Sequence, residues 1–249
     1  MLSRIKLKID ILNISFVELF PLDYEEFIGF AKSTNTSILN NFLKSGTLPE
    51  MAIASSQSNE KMKRFFYNNF SEQEQKLLII LAKYTAQRIT INQIYLYSKE
   101  KFKISKDWLY KKMKEFQDEK IIVFIEDRHH KSAKKMIIFD FAFAKYLTLS
   151  QGFITQFDTL IVLAMLKHKY QFETFGNSGY ITKNNELILL APFDTEENIW
   201  KKTYLKQPIY TEYNIKTVTI ITVANRYSYE IKGINFEGLP FEEWTILND

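Results

Sequence analysis

Four acidic residues late in the chain could hold a divalent metal ion of the kind that supports DNA cleavage. They are Asp158, Glu173, Glu186 and Asp194. Magnesium-dependent nucleases bind the ion through two or three carboxylates and use a lysine to orient the attacking water. The usual Glu-x-Lys pair is absent, because residues 187–193 after Glu186 are all apolar. We therefore expect these carboxylates to be structural or surface residues, with Asp158 and Glu186 as the remaining nuclease candidates.

Other side chains with catalytic or metal-binding chemistry are scarce. The chain has no cysteine, which excludes a disulfide framework, a thiolate zinc site and a cysteine nucleophile. Its three histidines are His129, His130 and His168. The adjacent pair lies in a basic stretch, which is typical of a solvent-exposed or phosphate-contacting loop. We expect neither a bound metal nor a cofactor.

The seven glycines allow a direct test for phosphate-binding loops. A dinucleotide-binding fingerprint needs two glycines separated by one residue, and no pair has this spacing. A Walker A loop needs glycines five positions apart, followed by Lys and then Ser or Thr. Only Gly233 and Gly238 have that spacing, and Leu239 and Pro240 follow them. We therefore expect no ATP hydrolysis by this chain on its own.

A basic stretch between Lys99 and Lys135 gives the strongest positive signal. It carries twelve Lys or Arg and seven Asp or Glu, whereas the formal net charge of the whole chain is +4. A helix is predicted after Ser105, with Leu109, Met113 and Phe116 on its apolar face. At about 100° per residue, a different face presents the candidate nucleic-acid contacts Lys106, Tyr110, Lys111 and Lys114. Lysines on such a face would attract DNA phosphates.

The polar turn at 126–135 supplies a second group of candidate nucleic-acid contacts. These are Arg128, His130, Lys131, Lys134 and Lys135. A basic turn of this kind can lie along the DNA backbone or in a minor groove. The alternative is a solvated charged face on a domain used for protein contacts, because acidic residues such as Glu115, Asp118 and Glu119 dilute the charge.

The elements around the basic stretch follow the order of a winged helix. Ser71-Glu72-Gln73-Glu74 and Thr90-Ile91-Asn92-Gln93 have the form of capping boxes, and each precedes a helical apolar pattern. The helix after Ser105 is the third. The apolar runs 121–125 and 136–141 then predict two strands on either side of the polar turn.

The flanking regions predict an α+β, multidomain fold. Before the winged helix we expect extended structure at 6–20 and helices at 24–31, 36–44 and 59–69, the first capped by Asp23. After it we expect a helix at 157–167 and strands at 186–190, 216–223 and 227–232, which indicate a small α/β domain. No apolar run approaches the roughly 20 residues of a membrane helix, and the start lacks the pattern of a signal peptide. We therefore expect a cytoplasmic protein that does not bind a membrane.

Two short segments resemble a class of prokaryotic, archaeal-type AAA ATPases with a P-loop. Residues 16–27, FVELFPLDYEEF, are similar to the Pro-Leu-x-[FY]-x-Glu-Phe helix that follows the ATPase core of that class. Residues 41–50, NFLKSGTLPE, are similar to its Gly-Gly-x-Pro-Glu turn, with Ser45 in place of the first glycine. In that class a winged helix follows, and then a restriction-nuclease-like domain that is often degenerate.

The resemblance implies the C-terminal portion of such an ATPase, because the P-loop of the class lies upstream of the first segment. Asp158 and Glu186 fall roughly where the class carries a glutamate and an aspartate. We therefore predict three modules: an ATPase-core edge and helical lid remnant at 1–70, a winged helix at 71–148 and a nuclease-like, inactive α/β domain at 149–249. The expected role is nucleic-acid binding or regulation within an AAA-type machine. The alternatives are a module that docks on a separate ATPase subunit and, third, a magnesium-dependent nuclease.

Overall fold

The computed structural model describes residues 21–31, 38–53, 58–148, 151–177 and 179–246. These residues form a mixed α+β fold with eleven helices and two sheets, as the sequence predicts. They divide into two compact units. The first combines the described residues of Met1–Thr85 with Ile89–Val123 and Ile137–Gln151, and the second combines Ala86–Arg88, Phe124–Met136 and Gly152–Asp249. The three-module division therefore remains a prediction, and the extended segment expected at 6–20 lies outside the described residues.

Helices dominate the first unit. They are α1 (Tyr24–Ala31), α2 (Ile38–Ser45), α3 (Pro49–Ile53), α4 (Ser58–Asn69), α5 (Glu72–Lys83), α6 (Ile91–Lys101), α7 (Lys106–Asp118) and α8 (Phe141–Thr148). The predicted caps are present. The backbone N–H of Glu26 donates to Asp23 Oδ1 at 2.7 Å, and that of Gln93 donates to Thr90 Oγ1 at 3.1 Å. Aromatic rings fill the core between the helices, such as Phe42 against Phe141 with ring centres 5.2 Å apart.

Three short strands form the smaller sheet. They are β1 (Gln87–Ile89), β2 (Ile122–Ile125) and β3 (Lys134–Ile138), in the order β1-β3-β2. The sequence predicts β2 and β3 but not β1. The predicted strand 136–141 is wrong at its end, because α8 begins at Phe141. The strand ends at Ile138, and Asp140 caps α8 instead, since its Oδ1 accepts a hydrogen bond from the N–H of Phe143 at 2.6 Å.

The second unit has a six-stranded sheet. In chain order its elements are α9 (Phe153–Lys167), β4 (Phe172–Thr174), β5 (Gly179–Thr182), β6 (Leu187–Leu190), α10 (Glu196–Glu212), β7 (Thr217–Thr222), β8 (Tyr227–Ile231), β9 (Ile234–Pro240) and α11 (Phe241–Ile246). The sheet order is β4-β5-β6-β7-β9-β8. Strands β4, β5 and β6 pair antiparallel, and β7 is parallel to both β6 and β9. In the apolar core of the second unit, Leu187, Ile220 and Phe236 of the strands cluster with Ile199 and Tyr210 of α10.

Candidate nucleic-acid interface

Helix α7 presents its predicted lysines to solvent. Leu109, Met113 and Phe116 are completely buried, so the rotation of the helix is fixed by its apolar face. Its start is fixed by Ser105, whose Oγ accepts a hydrogen bond from the N–H of Trp108 at 3.2 Å. The four candidates Lys106, Tyr110, Lys111 and Lys114 are all exposed, which agrees with the helical geometry used to select them.

Three of these side chains are lysines without a carboxylate at ion-pair distance in the described part of the chain, although Glu115 still interacts electrostatically with Lys111. Among the residues that the structure describes, Lys106, Lys111 and Lys114 have no carboxylate within 4.0 Å. The Lys106 ammonium lies 5.7 Å from the centre of the Tyr110 ring, within the range of a cation–π contact. This face of α7 can therefore offer both its charge and an aromatic surface to a ligand.

A fourth lysine of α7 has a structural role that the sequence analysis did not identify. Lys112 Nζ lies 2.9 Å from Glu74 Oε1 of α5 and forms a second ion pair with Glu115. Burial opposes protonation of this amine, but the hydrogen bonds to Glu115 and Glu74 outweigh it and raise the pKa of Lys112. The residue that could have indicated this role is Glu74. Its carboxylate accepts a hydrogen bond from the Ser71 N–H in the capping box of α5 and also accepts one from the Lys112 ammonium.

The predicted wing, residues 126–135, is fastened to the sheet of the second unit. The N–H of Thr174 donates to the carbonyl of Glu126 at 2.8 Å, and the N–H of Arg128 donates back to the carbonyl of Thr174 at 3.1 Å. The backbone of the wing thus extends the edge of the sheet at β4. This pairing holds the wing on the second unit.

Asp127 is the centre of this attachment. Its Oδ1 accepts from the N–H groups of His129 at 2.9 Å and His130 at 2.7 Å, and its Oδ2 accepts from the Thr174 hydroxyl at 2.6 Å. Arg88 forms an ion pair with the same carboxylate. Burial alone would raise the pKa of Asp127, but these hydrogen bonds outweigh burial and lower it well below its ordinary value.

Most of the basic residues predicted in the wing are engaged within the second unit. Arg128 Nη1 lies 2.9 Å from Glu173 Oε2, His130 Nδ1 lies 3.2 Å from Asp127 Oδ1, and Lys134 forms an ion pair with Glu126. Lys131 is exposed and has no carboxylate within 4.0 Å among the described residues. The charge that this turn can offer to DNA is therefore much smaller than its composition suggests.

The side chain of Lys135 points into the second unit. Lys135 is only 4% exposed, its ammonium forms an ion pair with Asp158, and it donates to Tyr180 Oη at 2.6 Å. Burial lowers the pKa of Lys135 despite the neighbouring Asp158, and burial raises that of Tyr180. We therefore remove Lys135 from the predicted DNA-contacting surface. The sequence could not reveal this, because residues 135–138 of β3 are all buried and its two faces show no alternation.

The four nuclease candidates do not form one metal site. Asp158 is bonded through both oxygens, to Lys135 and to the Tyr180 hydroxyl. Glu186 is exposed in the turn between β5 and β6, and Glu173 pairs with Arg128. Asp194 and Asp158 both line a cleft of about 350 Å³. However, Asp194 Oδ2 lies 2.7 Å from Lys202 Nζ and forms an ion pair with it. Across the described ranges, no group of three or more His, Cys, Asp or Glu side chains could hold a metal ion.

Comparisons of the chain with protein-family models, with curated proteins and with solved structures found no match. No family is assigned. The likeness to AAA-type ATPases therefore depends on the sequence motifs and the order of the predicted modules, and residues 16–20 of the first motif lie outside the described part of the chain. Among the helices that the structure describes, none has the length and apolar character needed to cross a membrane.

Proposed function

We propose that this chain is a nucleic-acid-binding or regulatory portion of an AAA-type ATPase machine in the cytoplasm. It would bind duplex DNA through α7 and would not hydrolyse ATP itself. The observation that carries the proposal is the exposed face of α7, where Lys106, Lys111 and Lys114 have no carboxylate within 4.0 Å among the described residues. Phosphate contacts supply most of the affinity of nonspecific DNA binding, and such lysines are the groups that make them.

The order of elements supports this reading. Helices α5, α6 and α7 precede the β2–β3 pair, and β1 lies between α5 and α6, as in a winged helix whose third helix contacts DNA. In the second unit, α9 precedes three antiparallel strands, and α10 then leads to the parallel strand β7. This order agrees with the resemblance to a degenerate restriction-nuclease-like domain.

Binding through this face should be weak and largely independent of DNA sequence. Lysine ammonium groups act as point charges, whereas base reading depends mainly on bidentate contacts from Arg, Asn or Gln. If about four to six phosphates are neutralised, log affinity should fall against log salt with a slope of about −4 to −5. The slope counts phosphate contacts, so it tests the α7 face more directly than affinity at one salt concentration.

The test is a fluorescence-anisotropy titration of duplex DNA at several salt concentrations. Replacing Lys106, Lys111 and Lys114 together with alanine should flatten the slope by up to about three. The matched control replaces Lys183, Lys206 and Lys216, which are also exposed, so that net charge falls equally. We expect the control to keep a slope within about one of the parent chain.

The competing function is a protein-interaction module that docks on a separate ATPase subunit. The internal pairing of Arg128, His130 and Lys134 favours it, because this leaves the wing with little charge for DNA. No binding at low salt with micromolar protein, or equal slopes for the α7 variant and its control, would overturn the DNA proposal and leave this alternative.

A further inference from the structure

Helix α10 carries apolar side chains on its solvent side. Its inward face is formed by Ile199, Thr203 and Tyr210, which are buried. On the outward half lie Tyr204, Leu205, Pro208 and Ile209, with Trp200 at its margin; all five are exposed, and Leu205 reaches 80%. Single exposed apolar residues are common, but five on one helix favour an interaction surface.

Two aromatic rings on this helix pack against each other. The rings of Trp200 and Tyr204 stack with centres 5.1 Å apart, and the Lys232 ammonium lies 5.9 Å from the centre of the Tyr204 ring. Trp and Tyr are the residues that most often dominate binding energy at protein interfaces. The stacked pair therefore offers a partner a broad aromatic surface.

The charged residues on this face can pair with those of a second copy that is related to the first by a two-fold axis. Lys201 and Glu212 are eleven residues apart, which is close to three helical turns, so both lie on one line along the outward side. Leu205 and Pro208 lie between them within about 40° of that line. An antiparallel second copy of α10, in the register that sets Lys201 against Glu212, also sets Leu205 against Pro208. The two-fold axis then produces each pairing twice.

We propose that the outward face of α10 is a self-association surface, and that its occupant is the same face of a second copy of this chain. The pairing buries Leu205 and Pro208 at the centre and places a Lys201–Glu212 ion pair at each end. Antiparallel helices also oppose their macrodipoles favourably. Lys201 already contacts Glu197 at 2.6 Å within the helix, so in the dimer its ammonium lies between two carboxylates.

The expected dimer is weak. One helix face is smaller than the roughly 800 Å² per partner of a standard protein interface, and interfaces below that size are usually transient. We therefore expect self-association on the order of micromolar dissociation constants. The mass should rise from 29.5 kDa toward twice that value as concentration increases.

The test is sedimentation velocity of the full chain without DNA, from about 1 to 500 µM. Lys201→Glu and Glu212→Lys each place like charges together twice in the dimer and should each raise the dissociation constant about tenfold. The double variant restores opposite charges and should return within about threefold of the parent chain. Leu205→Asp should abolish the dimer. Lys206→Glu makes the same charge change about 140° around the helix and is the matched control.

All four sites are exposed, so the variants should fold, and far-UV circular dichroism checks this. A chain that stays monomeric at 500 µM overturns the proposal, and so does a double variant that dimerises no better than either single one. The readout needs no nucleic acid, so its outcome is independent of DNA binding by α7.

Discussion

Asp140 joins two segments of the first unit that are far apart in the sequence. Its buried Oδ2 accepts from the backbone N–H of Thr47 at 2.5 Å and from the Thr47 hydroxyl at 2.7 Å, while Oδ1 caps α8. Gly46, just before Thr47, has φ +78°, and a Cβ there would lie 2.5 Å from Asp140 Oδ2. The turn that resembles the Gly-Gly-x-Pro-Glu motif therefore needs glycine at position 46 for both conformation and space.

Gly46→Ala should destabilise the first unit by about 2–4 kcal/mol, because it combines backbone strain with displacement of a buried hydrogen-bonded carboxyl. Urea unfolding of the full chain measures the change. Gly29→Ala is the control, because nothing lies within 4 Å of a Cβ at that helical position. It should be neutral or stabilising by about 0.5–1 kcal/mol. Equal effects of the two substitutions would contradict this account of the turn.

Asp158 belongs to a buried ion pair, so its removal should change stability. Asp158→Asn leaves the Lys135 ammonium buried without its carboxylate, at a cost of about 3–5 kcal/mol. Glu186→Gln changes an exposed side chain and should stay within about 0.5 kcal/mol. Thermal unfolding of both variants gives the comparison.

A plasmid-cleavage assay with Mg²⁺ or Mn²⁺ tests the nuclease alternative on the same two variants. We expect no metal-dependent cleavage by the parent chain, because both Asp158 oxygens are already bonded within the protein. Cleavage by the parent chain that both variants lose would restore the nuclease reading.

At the scale of elements, the Asp127 attachment of the wing gives a prediction about pH. The pKa of Asp127 is lowered in the folded chain, so its carboxylate stabilises the fold above the ordinary Asp value of about 4. This contribution begins to decrease below that value and is lost as the pH falls through the lowered pKa of the folded chain. Asp127→Asn should therefore unfold more easily than the parent chain at pH 7, and the gap should narrow by about pH 3.

Urea unfolding across this pH range measures the gap between the two chains. Glu237→Gln, at an exposed position of β9, is the control and should show a small gap at every pH. A gap for Asp127→Asn that stays constant from pH 7 to pH 3 would mean that the Asp127 charge does not hold the wing.

Elements that are determined by residues close together in the chain were predictable from the sequence. Asp23 with Glu26 and Thr90 with Gln93 form reciprocal caps, because both partners lie three residues apart in one turn. The orientation of the α7 lysines followed from the buried positions of Leu109, Met113 and Phe116. Each of these inferences needs only local geometry.

Elements that depend on distant partners were missed. Helix α10 buries only three residues and exposes its other apolar side chains, so its sequence lacks the apolar face of an ordinary surface helix. Strand β9 contains Gly238, which resembles a turn residue. Its lack of a Cβ instead makes room for the Tyr227 ring of β8, which would lie 2.3 Å from such an atom. Only the tertiary structure supplies these neighbours.

At the scale of the whole chain, neither compact unit is a continuous segment. The second unit takes Ala86–Arg88 and Phe124–Met136 from within the predicted winged helix. These pieces supply Arg88, Asp127 and Lys135, which pair with groups of the second unit. A boundary at 148/149, where the sequence predicts a new module, would separate the Asp158 carboxylate from its buried counter-ion.

A fragment of residues 149–249 should therefore be less stable than the same residues in the full chain. It retains Asp158 and Tyr180 but lacks Lys135, so a carboxylate would be buried without a counter-ion. The effect of Asp158→Asn should then reverse its sign. The substitution destabilises the full chain by removing a partner of Lys135, but it should stabilise the fragment by removing an unpaired charge.

A longer fragment, 124–249, is the control because it restores both Lys135 and Asp127. In that fragment Asp158→Asn should again be destabilising. Circular dichroism and thermal unfolding of the three chains, each with and without the substitution, measure the sign in each case. If 149–249 unfolds at the temperature of the second unit in the full chain, and Asp158→Asn destabilises it too, the Lys135–Asp158 pair does not hold this unit together. The predicted domain boundary at 148/149 would then be supported.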